Sequence, residues 1–114
     1  MPESPIFVKM YDLLVWLLPR TLKFPREYRF TLVTRLQDSA FNLQRALVRA
    51  AKSIEAEKIS ALQDADVELT QLRLNLRLSH DLNLLDLRGY EHIARLVDEV
   101  GRLLGGWQKK SAAT

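Results

Sequence analysis

Residues 62–85 read LQDADVELTQLRLNLRLSHDLNLL, and the spacing of the apolar residues in this stretch decides the fold. Leu62, Ala65, Leu69, Leu72 and Leu76 recur at steps of three and four. Val67, Leu74, Leu78, Leu82 and Leu85 do the same in a register of their own. At about 100° per residue the two sets sit roughly half a turn apart. A helix in a small bundle needs one apolar stripe and turns its other side to water. Two stripes require two partners. The chain's own core can serve one, and a second copy of the chain or a different protein is the simplest cover for the other. The stretch therefore predicts a helix, and it points to assembly rather than catalysis.

The flanking sequence predicts three more helices. Ser4 and Pro5 suit an N-cap and first helical residue, opening a helix over about 5–18. Ile6, Phe7, Met10, Leu14, Leu17 and Leu18 form its stripe, Leu13 and Trp16 widen it, and Pro19 is expected to end it. A long second helix is expected over about 26–54. There Leu32, Val33, Leu36, Ala40, Leu43, Leu47, Ala50 and Ile54 share a side with Arg29. The break that follows holds no Gly or Pro. Ser60, with Gln63 three residues on, is the best N-cap for a third helix over about 60–82. Asp86 is a good N-cap for a fourth over about 86–107, with Tyr90, Ile93, Val97, Val100, Leu104 and Trp107 as its stripe. Residues 108–114 read as a polar, disordered tail. No stretch alternates with period two for long enough to make a strand. Four helices with short links predict one all-α domain, an up-down-up-down four-helix bundle.

Composition narrows the function classes. The 114 residues suit one domain, and their hydrophobic content is ordinary for a globular chain. The absence of cysteine removes disulfides, thiol catalysis and cysteine-ligated metals, and fits a reducing cytoplasmic interior. The N-terminal residues are not a basic n-region, so no signal peptide is expected. The longest unbroken apolar run, Leu13 to Leu18, is six residues. A membrane span needs about 20, so a soluble protein is expected.

Little in the chain carries covalent chemistry. His80 beside Asp81 resembles half of an acid/base pair, but His80 also falls near a helix end, where a cation suits the dipole. Arg77 and Gly89 stand three residues before His80 and His92, so the Glu-x-x-His pattern of di-iron bundles is absent. No glycine-rich phosphate loop appears. The expectation is a protein that is not an enzyme and holds no metal or cofactor.

The basic residues say more. Net charge is +3, but residues 21–53 carry seven Lys and Arg against two acids, while residues 54–82 carry three against six. On the second helix Arg35, Arg45, Arg49 and Lys52 share a sector away from the core. On the fourth, Arg88, Arg95 and Arg102 are seven apart. On the third, Arg73 and Arg77 lie between the two leucine faces. A charged ridge on a helix is ordinarily its solvated face. Nucleic acid also draws on such ridges, because each neutralised phosphate releases counterions. Phe30, Phe41 and Val48 form an apolar flank beside the core stripe of the second helix. It reads either as a wide core face or as a contact surface for the second leucine face. Gly89, Gly101 and Gly105 would let helices approach closely.

Several stretches together resemble one family. They are Pro5–Pro19 (PIFVKMYDLLVWLLP), Phe24-Pro25-Arg26, Arg35–Asp38 (RLQD), Leu72–His80 (LRLNLRLSH), Tyr90-Glu91-His92 and Gly101–Trp107 (GRLLGGW). In order and spacing they look like the accessory variability determinant of diversity-generating retroelements, itself similar to the four-helix proteins encoded by 23S ribosomal RNA intervening sequences. The resemblance implies a homopentameric barrel with a basic surface that binds RNA or DNA. It also implies a reverse transcriptase partner and a supporting role in mutagenic retrohoming. Arg73 and Arg77 fall in the best-matching basic stretch and are the first candidates for nucleic acid contact, followed by Arg35, Arg45, Arg49 and Lys52. Leu74, Leu78, Leu82, Phe30 and Phe41 are the candidates for the joint between subunits. The alternative is the intervening-sequence type of bundle, which has no polymerase partner. An adjacent reverse transcriptase gene with a repeated template would separate the two.

Overall fold

The computed structural model describes residues 4–112. They form four α-helices: α1 (Pro5–Thr21), α2 (Leu32–Ala51), α3 (Glu55–Asp81) and α4 (Leu87–Ala112), with a single 3-10 turn at Arg26–Tyr28. Each helix packs on its neighbour in sequence, and α1 packs on α4, closing an elongated four-helix bundle of 46 × 25 × 22 Å. No strand occurs among the described residues. Its core is one cluster drawn from all four helices, including Met10, Leu13 and Leu17 of α1, Leu36, Leu43 and Leu47 of α2, and Ile93 and Leu104 of α4. From α3 it takes Leu62, Ala65, Leu69, Leu72 and Leu76, the whole first leucine set. No helix of the described residues is long and apolar enough to cross a membrane.

The helix ends differ from the expected ones for local reasons. Ser4 starts α1 through its backbone, whose carbonyl accepts the N–H of Phe7 at 3.0 Å, while its hydroxyl makes no cap bond. Pro19 does not stop α1 at residue 18. It falls in the last turn, where its missing N–H forfeits one hydrogen bond, and the helix runs on to Thr21. Buried Thr21 donates from its hydroxyl to the Leu18 carbonyl at 2.8 Å and accepts from Gln37 of α2 at 3.0 Å. The second helix does not start at Arg26. The 3-10 turn and a non-helical Thr31 precede Leu32, and Arg29 lies outside the helix, exposed. This lead-in turns Leu32 and Val33 into the core and leaves Phe30 in solvent.

The join between α2 and α3 carries no glycine because a glutamate makes the turn. Glu55 sits at φ 52, in the left-handed region that side chains rarely adopt. α3 therefore begins five residues before Ser60, and Ser60 caps nothing. Its hydroxyl lies inside α3, 3.5 Å from the Arg49 guanidinium. At the other end Asn83 takes φ 64. The Asn83 N–H bonds to the His80 carbonyl at 2.9 Å, and the Leu84 N–H to the Ser79 carbonyl at 2.8 Å. This is a Schellman stop. The chain then leaves helical register, so Leu85 turns inward and is buried rather than belonging to the second leucine face. Asp86 caps α4 by accepting the Gly89 N–H at 2.7 Å. α4 passes through Gly105 and Gly106 and ends at Ala112, so no disordered tail begins at residue 108. Trp107 packs edge-on against Phe7, and the Gln108 amide reaches the Leu62 carbonyl at 3.5 Å, tying this last stretch to the bundle. Residues 113 and 114 of the expected tail lie outside the described residues.

Candidate functional site

Every residue of the second leucine face that lies within α3 is exposed. Leu74 shows 57% of its surface, Leu78 45% and Leu82, at the helix end, 41%; Val67 continues the row toward the N-terminus of α3. Leu72 and Leu76 are at most 2% exposed on the opposite side of the same helix. The protomer thus buries one stripe and leaves the other uncovered, a row of large apolar side chains at helical spacing.

The aromatic flank of α2 is a surface, not a wide core. Phe41 and Val48 are exposed, and Phe30 stands out from the lead-in at 84%. Gln37, which bonds Thr21 of α1, lies within about 40° of Phe41 and Val48 on the helix, so the flank opens toward α1. α1 carries an exposed apolar stripe of its own, Val8, Tyr11, Val15 and Leu22, none of which belongs to its expected core stripe. Their spacing of three, four and seven is the sequence signal of this second face. The protomer therefore presents two apolar surfaces, one on α3 and one along α1 and α2. The basic row of α2 lies between them.

The six nominated basic residues do not converge. Arg45 and Arg49 line the groove between α2 and α3, beside Asp64, Val67 and Glu68. Arg49 pairs with Asp64 at 3.1 Å. Arg35 and Lys52 are exposed elsewhere on α2. Arg73 and Arg77 stand on the other side of α3, in a cleft of about 350 Å³ against α4 that also takes in Leu74, Tyr90 and Asp98. Arg73 reaches Asp98 at 3.3 Å, and Arg77 lies 3.9 Å from Asp81. The Arg and Asp side chains in these pairs are about half or more exposed, and such ion pairs contribute on the order of 0–1 kcal/mol. A phosphate can replace their carboxylates at little cost.

Gly101 explains how Arg73 crosses to α4. A Cβ at position 101 would lie 2.5 Å from Arg73 Nη2 and 3.2 Å from Leu69 Cδ2. The bare backbone lets the guanidinium lie across α4 on its way to Asp98. Gly89 similarly borders the Trp16 ring, whereas nothing approaches Gly105 within 4 Å, so close packing does not account for that glycine.

The histidines have structural partners. The His80 ring stacks on Tyr90 at 4.8 Å with an interplanar angle of 5°. Its Nδ1 lies 3.0 Å from the Leu85 carbonyl; a carbonyl only accepts, so this nitrogen carries the proton. His80 thereby pins the α3–α4 turn. His92 packs on Trp16 at 5.3 Å.

A family model described as bAvd-like matches residues 6–111, nearly the whole chain. No curated protein matches the sequence.

Proposed function

The chain belongs to the bAvd-like family, and from that premise we propose that it is a non-enzymatic, cytoplasmic accessory protein of a diversity-generating retroelement. In this reading it assembles with itself into a basic barrel, five subunits being what the family resemblance implies. The barrel binds nucleic acid and a reverse transcriptase and so supports mutagenic retrohoming. The observation that carries assembly is the uncovered row Leu74, Leu78 and Leu82 beside a complete core. A second, separate apolar surface on α1 and α2 supports a heterologous joint, in which one face meets a different face and repetition closes a ring.

Native mass measurement tests the assembly. A multiple of the 13.2 kDa chain mass is expected at micromolar concentration, and a species at the mass of one chain overturns it.

Nucleic acid binding has its own test. Arg73→Ala with Arg77→Ala is expected to leave the assembly mass unchanged. Loss of two phosphate contacts would weaken binding by roughly 10- to 30-fold near 0.15 M salt and flatten the salt dependence. Unchanged binding would remove these two arginines from the contact surface.

A further inference from the structure

The outer face of α4 differs from the paired arginines of the two grooves in how its charges are held. Arg49, Arg73 and Arg77 each meet a carboxylate. Arg88, Arg95 and Arg102 do not: all three are exposed, and among the described residues none lies within 4.0 Å of a carboxylate oxygen. Lys109 continues the same seven-residue step and is equally open. Seven residues advance a helix by about 10.5 Å and drift by only about 20°. The four cations therefore form a nearly straight ridge about 31 Å long. The acids nearby are mostly engaged elsewhere. Asp86 caps Gly89, Asp98 holds Arg73, and Glu99 pairs with Lys9 of α1 at 3.0 Å. Glu91 and Glu99 flank Arg95 by four residues on either side and share the ridge, Glu99 being the one paired with Lys9.

The α1 edge adds a fixed cation. The Arg20 guanidinium lies over the Trp16 ring at 4.6 Å, and Trp16 rests on His92 of α4. This cation–π contact restrains the guanidinium, whose N–H donors can meet a phosphate oxygen.

We propose that Arg88, Arg95 and Arg102, with Arg20 at their edge, form a second nucleic acid surface. It is separate from Arg73 and Arg77 and takes the phosphodiester backbone without reading sequence. The proposal rests on the nucleic acid part of the function given above, and its test separates the two.

Binding of an RNA 20-mer and a DNA 20-mer of the same sequence is measured against salt. The proteins compared are the wild type, the triple variant Arg88→Gln/Arg95→Gln/Arg102→Gln and the corresponding triple lysine variant. Three lost phosphate contacts are expected to make the log–log salt slope shallower by about 2, and to weaken binding on the order of 50-fold near 0.15 M salt. Both strands should lose alike, because backbone contacts do not involve the 2′-hydroxyl. The lysine triple, which keeps the charges, should hold the wild-type slope. Circular dichroism should show unchanged helicity, since all three side chains are exposed. Wild-type affinity and slope in the glutamine triple overturn the ridge while leaving the function standing, and a loss confined to RNA overturns the backbone reading. A wild type that binds neither strand at low salt removes the function itself, and the ridge with it.

Discussion

Leu72→Ala and Leu76→Ala, made singly, are each expected to lower the stability of the bundle by roughly 2–5 kcal/mol. Both side chains are essentially fully buried in the four-helix core, so truncation forfeits the transfer of several methyl and methylene groups and leaves a cavity that neighbouring helices close only in part. For a domain of this size, whose total stability is on the order of 5–15 kcal/mol, that is a large share. Thermal or denaturant unfolding followed by far-ultraviolet circular dichroism reads it directly. A loss below about 1 kcal/mol would place the residue in contact with solvent, contrary to the structure.

Leu74→Glu with Leu78→Glu, only two residues away from those positions, is expected to do something quite different. Exposed substitutions of this kind alter a lone protomer by about 0.5 kcal/mol or less. Far-ultraviolet helicity should therefore persist. In a joint between subunits the same two carboxylates are stripped of water without partners, at a cost of several kcal/mol, so the native mass should fall to that of a single chain. Retention of the wild-type mass would exclude the outer face of α3 from the joint. Unfolding would mean that these leucines belong to the core. The contrast between 72/76 and 74/78 follows from about 100° of rotation per residue and from nothing else in the chain.

That rotation is also why so much of the fold was legible. The four helices, their order and the two-faced character of α3 follow from apolar spacing, because burial acts on every turn of a helix and imprints its period. The helix ends were less legible because single bonds settle them. At Glu55 a left-handed turn is made by a residue type that gives no warning of it, and at Asn83 a Schellman stop takes Leu85 out of helical register and into the core. The end of α4 was misplaced because Gly105 and Gly106 suggest fraying, whereas the edge-on packing of Trp107 against Phe7 depends on residues a hundred positions apart in sequence.

Site legibility divides along similar lines. Exposure of Leu74, Leu78, Leu82, Phe30 and Phe41 could be anticipated from the surplus of apolar faces over available core. The grouping of the arginines could not. Charge on a helical wheel gives a direction but not a neighbour, and Arg49 and Arg73 turn toward opposite grooves of the bundle because their carboxylates lie on different helices. The exposed stripe of Val8, Tyr11, Val15 and Leu22 lies outside the expected core stripe of α1, and its spacing of three, four and seven already carried the signal of a second face.

The missing side chain at position 101 ties two distant parts of the chain into one heritable unit. An alanine there changes no charge, yet its Cβ would strike Arg73 Nη2 and push that guanidinium off α4. Drift at 101 is thus drift in where a positive charge points on another helix. Lineages that lose this glycine should also be free to lose the arginine, so the two positions are expected to come and go together.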